Sequence, residues 1–132
     1  MMGFAISQRL PGLNEYIAAL DYSKYKGHKL KQSTEEDICN YILVAKSKGT
    51  LKPVENYPIK VSFEWHETTK RRDLDNIASA KKYVLDAMQK AGIIKGDGQK
   101  YVGNISDTFC IPSNQDGVIV RIEEMEKSDA TK

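Results

Sequence analysis

The chain has 132 residues, with 20 Lys and Arg against 18 Asp and Glu and 40% hydrophobic content, a composition that fits one globular domain able to bury about two thirds of its unfolded surface. Its two cysteines, Cys39 and Cys110, show no CxxC or Cys/His spacing, which argues against a disulfide framework and makes a reducing, cytoplasmic setting the expectation. No apolar run reaches the ~18 residues of a membrane span, and the start has no charged segment leading into an apolar core, so a soluble, unsecreted protein with no membrane partner is expected.

Taken in chain order, Phe4, Ala5 and Ile6 suggest an opening strand that stops at Leu10-Pro11-Gly12, where proline and glycine favour a turn. An irregular basic loop is expected next. Between Tyr22 and Gln32 it holds Lys24, Lys26, Lys29, Lys31 and His28 with no acid, interleaved with Tyr22 and Tyr25. That mixture suits a phosphate backbone, although a solvated lysine-rich loop has the same composition. Ser33 and Glu36 have capping-box spacing, and Ile38, Tyr41, Ile42 and Ala45 recur at helical intervals as far as Lys48-Gly49, predicting a helix with one buried stripe.

From Ile59 to Trp65 the period is two, with Ile59, Val61, Phe63 and Trp65 on one face, the mark of a half-buried strand. From Asp75 the residues Ile77, Ala80, Val84, Met88 and Ala91 return to a helical stripe ending at Gly92. Two strand-like runs follow, Tyr101 to Ile111 and Val118 to Met125, joined through Asn114-Gln115-Asp116-Gly117, a hairpin signal. The expected fold is α/β of the α+β type, a mixed sheet against two helices with an antiparallel final hairpin. One domain over residues 1–126 and a polar tail over 127–132 complete it.

The densest group of chemistry-bearing residues is Lys70 to Asn76, KRRDLDN, where a strand gives way to a helix. In an extended segment Asp73 and Asp75 point to one side and can share a cation; as a helix start the same pair caps backbone amides. Lys70, Arg71 and Arg72 can serve as ion-pair partners or meet phosphates. Counted at ~100° per residue from Asp75, Lys82 falls at about −20° and Asp86 at about +20°, on the Asp75 side of the helix, while Lys81 falls at about 240°, near the apolar stripe. Asp97 lies between two glycines, a turn that also brings a third carboxylate within reach of another element. His66 and His28 share no ligand spacing with each other or with a cysteine, and both read as ordinary strand-end and loop residues.

The stretch RRDLDNIASAKKYVLDAMQKAGIIKGDGQ, Arg71 to Gln99, resembles the RusA family of Holliday junction resolvases, whose signature is D-x-D-N at a helix start, a downstream lysine and a further Asp in a short D-x-Q turn. LPGLNEY, Leu10 to Tyr16, is similar to the family's proline-rich turn and following asparagine, here Asn14. The family often places its lysine four residues after the second aspartate, where this chain has Ser79; KKYVLDA matches the family segment shifted by three residues, which makes Lys82 the corresponding lysine and Lys81 the alternative.

The resemblance implies a homodimeric, Mg²⁺-dependent endodeoxyribonuclease, with Mn²⁺ a possible substitute, that binds four-way DNA junctions and nicks two opposing strands symmetrically in recombination or repair. Asp73, Asp75 and Asp97 would then hold metal and Lys82 would stabilise charge on the phosphate. Lys24, Lys26, Lys29, Lys31, Lys70, Arg71 and Arg72 would hold backbone phosphates, with Asn14 a further DNA contact. The alternative expectation is a non-catalytic DNA-binding module, which needs the basic segment but not the carboxylates.

Overall fold

A computed structural model describes residues 1–126, and the expected polar tail, 127–132, lies outside the described residues. The elements run β1 (Met2–Ile6), α1 (Leu13–Tyr22), α2 (Lys24–Lys48), β2 (Ile59–His66), α3 (Leu74–Ala78), α4 (Lys81–Lys90), β3 (Val102–Cys110) and β4 (Gly117–Glu124). The four strands form one mixed sheet in the order β1-β4-β2-β3. In it β4 is antiparallel to both β1 and β2, and β3 is parallel to β2.

Period-two patterning in β2 places Ile59, Val61, Phe63 and Trp65 in the core, none more than 3% exposed. Phe63 lies opposite Val120 and Val61 opposite Ile122, so the buried faces of β2 and β4 coincide. Ile38 and Ile42 of α2 and Val84 and Met88 of α4, all fully buried, complete this core. Each large side chain so buried contributes roughly 1.5–3 kcal/mol. The opposite sheet face carries Lys60, Ser62, Glu64 and His66, all half-buried.

The expected mixed α+β sheet is present, but the last two strands are not a hairpin. β2 lies between them, and the segment 111–116 carries the chain across the end of β2. Burial explains the order. β4 buries Val118, Val120 and Ile122 and fits an interior position, whereas β3 buries only Val102 and sits at the edge.

The helices also differ from expectation, four segments standing where two were predicted. The region read as a basic loop is helical: α1 fills residues 13–22, and α2 begins at Lys24, with the Ser23 hydroxyl accepting from the Lys26 amide at 3.0 Å. Ser33 is therefore inside a helix, and its hydroxyl donates back to the Leu30 carbonyl. No apolar stripe announced these turns because α1 buries no residue fully, and Leu13, Ile17 and Leu20 stay 52%, 45% and 36% exposed. The two helices rest on each other instead. A Cβ on Gly27 would come within 2.2 Å of Leu20 Cδ2, so the glycine permits the approach, and the lysines around it are good helix formers.

The helix expected from Asp75 is divided at Ser79-Ala80, where the Ala80 amide bonds to Ile77 and the Tyr83 amide to Ala80 at i−3 spacing. A turn wound this tightly rotates ~120° per residue instead of ~100°. Helix α4 still stops where the sequence indicated, before Gly92, whose φ of 75° is left-handed.

The link from β2 to α3 is fixed by Arg72. Its guanidinium pairs with the buried Glu67 carboxylate and donates to the Leu10 carbonyl at 3.2 Å and to Glu15 Oε1 at 3.1 Å. Removing the cation strands Glu67, whose side chain is 6% exposed. Arg72→Ala should lower unfolding free energy by about 3 kcal/mol or more in urea titration, while the exposed Arg71→Ala should change it by under ~0.5 kcal/mol.

Candidate functional site

Asn76 and Ser79 cap the first turn of α1. The Asn14 amide donates to Asn76 Oδ1 at 3.0 Å, the Leu13 amide donates to Ser79 Oγ at 2.8 Å, and that hydroxyl donates to the Asn76 carbonyl at 2.6 Å. Gly12 lies hard against Asn76, where a Cβ would come within 2.5 Å of the side-chain oxygen. The two segments that carried the family resemblance, Leu10 to Tyr16 and Asp73 to Asn76, are thus joined directly. Asn14 is exposed at this edge, on the helix end that the motif asparagine holds.

Asp73 and Asp75 flank Leu74 on the outside of the chain, and all three are exposed. Asp73 is the N-cap residue, with extended backbone at φ −66° and ψ 150°, but its side chain makes no capping hydrogen bond. Asp75 is already in the first turn of α3, so the alternation argument that put both carboxylates on one side of an extended chain does not hold. One stands at the N-cap and the other in the first turn, two residues apart. Neither carboxylate has a salt-bridge partner among the described residues.

Lys82 extends from α4 to Asp97 Oδ2 at 2.8 Å and to Asp86 Oδ1 at 3.1 Å. The Lys82 hydrogen bond holds the Asp97 carboxyl below its ordinary pKa, and Asp97, followed by Asp86, raises that of Lys82. Asp86, on the same helix face as Lys82, pairs with it, and Lys31 of α2 lies 4.0 Å from its other oxygen. Lys81, the alternative lysine, faces the sheet, paired with Asp107 and 5.9 Å from the Phe63 ring centroid. Between α1, α2 and α4 is a cleft of about 200 Å³ with Lys31 and Lys82 at its edge and Tyr16 and Tyr83 in its wall. Burial pushes the Tyr83 phenol up to about 12, so it stays a neutral donor.

The carboxylate oxygens of Asp73 and Asp75 are hard donors suited to Mg²⁺, an ion usually held by one or two carboxylates with waters and substrate phosphates completing its shell. In that sense the residues fit the metal. The expected three-aspartate set is not drawn together, however, since Asp97 is held by Lys82. Among the described residues, the trio whose ligand atoms all lie within 4.8 Å of one another is Glu64, His66 and Cys110.

The basic residues are arranged by helix α2. Lys24, Lys26, Lys29 and Lys31 are all exposed over its first turns, with Lys26 Nζ 4.1 Å from the Tyr22 ring centroid. Lys70 and Arg71 are exposed ahead of α3, but Arg72, expected at a phosphate, is turned inward with a side chain 13% exposed. His66 ends β2 as expected, but it has neighbours that its spacing in sequence did not indicate. Parallel pairing sets it opposite Cys110, and Glu64 lies two residues earlier on the same face. The period of β2 is the signal that could have put Glu64 and His66 on one face, but strand pairing across 44 residues leaves no local trace.

The exposed Lys82–Asp97 pair should be worth under ~1 kcal/mol. Because Asp97 is shifted down, its contribution is complete above the ordinary carboxylate range and lost as pH falls through the lowered value; because Lys82 is shifted up, its contribution is lost only as pH rises through the raised ammonium value. In Lys82→Met, the Asp97 carboxyl followed by NMR should titrate at higher pH, with global stability nearly unchanged. An Asp97 titration that does not move would show that the pair does not form in solution.

Comparison of the chain with protein-family models matched none of them, and no curated protein matched it.

Proposed function

We propose that this protein is a Mg²⁺-dependent, structure-specific endodeoxyribonuclease that resolves four-way DNA junctions by paired nicks, acting as a homodimer in the cytoplasm, as the RusA resemblance implies. The observation that carries the reading is the direct joining of the resembling segments: Asn76 of the D-x-D-N motif caps the helix that follows the L-P-G-L-N turn. Two exposed carboxylates lie beside that joint, and a lysine engaged with the Gly-flanked Asp97 lies one helix further on.

Bound Mg²⁺, or Mn²⁺ in its place, would lower the pKa of a water and polarise the scissile phosphate. Asp73 and Asp75 would hold it, with Asp97 recruited from its ion pair. Lys82, released from Asp97, would donate to a non-bridging phosphoryl oxygen, where charge develops. Lys24, Lys26, Lys29 and Lys31, with Lys70 and Arg71, would hold backbone phosphates and set the orientation of the duplex arms, and Asn14 would contact the same strand. A two-fold dimer would present two equivalent sites to a junction of approximate two-fold symmetry.

One observation favours the alternative of a non-catalytic DNA-binding module, namely that the three aspartates do not close into a ligand set while Lys24, Lys26, Lys29 and Lys31 of α2 are all exposed. The two readings differ in one variant. For a nuclease, Asp75→Asn should cut junction cleavage by at least ~100-fold with binding retained, and Lys82→Met should do so by ~100-fold or more. Wild-type protein that binds junctions but leaves them intact with Mg²⁺ would select the module, and full cleavage by Asp75→Asn would remove the proposed site. Replacing Lys24, Lys26 and Lys29 together with Gln should reduce the slope of log K against log salt by about 2 to 3 if all three meet phosphates, an outcome shared by both readings.

A further inference from the structure

Separate from the acidic edge, the open face of the sheet carries a second group of ligating side chains. Glu64 and His66 project from the end of β2 on the face away from the helices, and Cys110 closes β3 in direct register with His66. One ligand atom from each lies within 4.8 Å of the others. His66 Nε2 is 2.8 Å from Glu64 Oε2, and Nδ1 is 2.9 Å from Ser113 Oγ. Ser113 is itself fixed, its amide donating to the Glu67 carbonyl at 2.8 Å.

We propose that Glu64, His66 and Cys110 form a Zn²⁺ site. The donor set of one thiolate, one imidazole and one carboxylate is a borderline-soft trio of the kind Zn²⁺ takes, and it leaves a fourth, tetrahedral position for water. Tetrahedral Zn²⁺ separates a bound nitrogen and oxygen by about 3.3 Å and a bound nitrogen and sulfur by about 3.5 Å. The 2.8 Å pair therefore opens slightly to admit the ion, and Cys110, within 4.8 Å of both partners, closes by no more than about 1.3 Å. With zinc on Nε2, the remaining ring proton resides on Nδ1 and is donated to Ser113 Oγ, the orienting bond that metal-bound histidines usually make. The Cys110 thiol proton leaves to solvent; no electron changes hands.

The surroundings suit an ion that enters from water. Glu64 and His66 keep side-chain exposures of 27% and 23%, and a cavity of about 480 Å³ opens beside His66 and Ser113. Arg121 lies 3.7 Å from Glu64 Oε1, the carboxylate oxygen that the ion does not need, and Asp116 lines the same cavity as His66. The site would tie the end of β2 to β3 and, through Ser113, to the crossing segment 111–116. It shares no residue with the proposed Mg²⁺ site, and hard Mg²⁺ would not compete for a thiolate.

The test uses the full-length, metal-free chain titrated with Zn²⁺ and with Co²⁺ as a spectroscopic substitute. One equivalent of Zn²⁺ should bind, and Co²⁺ should give a thiolate-to-metal charge-transfer band that is lost in Cys110→Ser and kept in Cys39→Ser. In the wild-type protein, Zn²⁺ should slow alkylation of Cys110 but not of Cys39, a readout that needs no variant to fold. Ser113→Ala should weaken binding by about 10-fold, and Asp75→Asn should leave the zinc stoichiometry unchanged even if it abolishes cleavage. Failure to bind one equivalent, a Co²⁺ spectrum with no thiolate band, or binding lost in Asp75→Asn and kept in Cys110→Ser would overturn the proposal.

Discussion

The capping of α1 by Asn76 and Ser79 is the contact on which the rest of the candidate site depends. A helix start leaves backbone amides without partners, and here two of them are satisfied by side chains more than 60 residues away in sequence. Arg72, four residues before Asn76, is anchored just as firmly to Glu67, Glu15 and the Leu10 carbonyl. Between these two inward anchors the chain has three outward positions, Asp73, Leu74 and Asp75. Two carboxylates are thereby held in solvent with no salt-bridge partner among the described residues, open to an external cation. The asparagine of D-x-D-N is thus held inward at the α1 cap, and the two aspartates stay exposed.

A similar local cost appears at the start of α2. Lys24 and Lys26 occupy a first turn that contains no acid, opposed to the helix dipole by roughly 0.3–1 kcal/mol each. Folding alone would favour acids there. Lysines of α2, with the exposed Tyr22 at the end of α1 and Tyr25 at the start of α2, lie next to a cleft edged by Lys31 and Lys82 and form a surface that an anionic polymer would stabilise. The small formal charge of +2 conceals this segregation of basic helix from acidic loop.

What could be read in the sequence follows the range of the forces involved. Strand β2 and the end of α4 were legible because alternation of buried side chains and a left-handed glycine are local signals. The helical count that separated Lys82 from Lys81 matches their different surroundings, Lys82 reaching Asp97 and Lys81 pairing with Asp107 against the sheet. Helix α1 and the first turns of α2 were not legible, since they are stabilised by contact with each other at Gly27 and Leu20 rather than by a buried stripe. The crossing from β3 over β2 to β4 was read as a hairpin because the turn residues are the same for both; only the burial of β4 decides between them. Arg72 looked like one of three phosphate-facing cations, and its withdrawal depends on Glu67, an acid in an otherwise solvated stretch.

The proposed chemistry is Mg²⁺-dependent cleavage of branched DNA at the exposed carboxylates beside the α1 cap, with Lys82 on the phosphate. Incubating the protein with a synthetic four-way junction labelled on each strand in turn, with and without Mg²⁺, and mapping the nicks tests this most directly. The account predicts Mg²⁺-dependent nicks at symmetry-related positions on two opposing strands. Intact strands in Mg²⁺, or equal nicking of linear duplex, would contradict it.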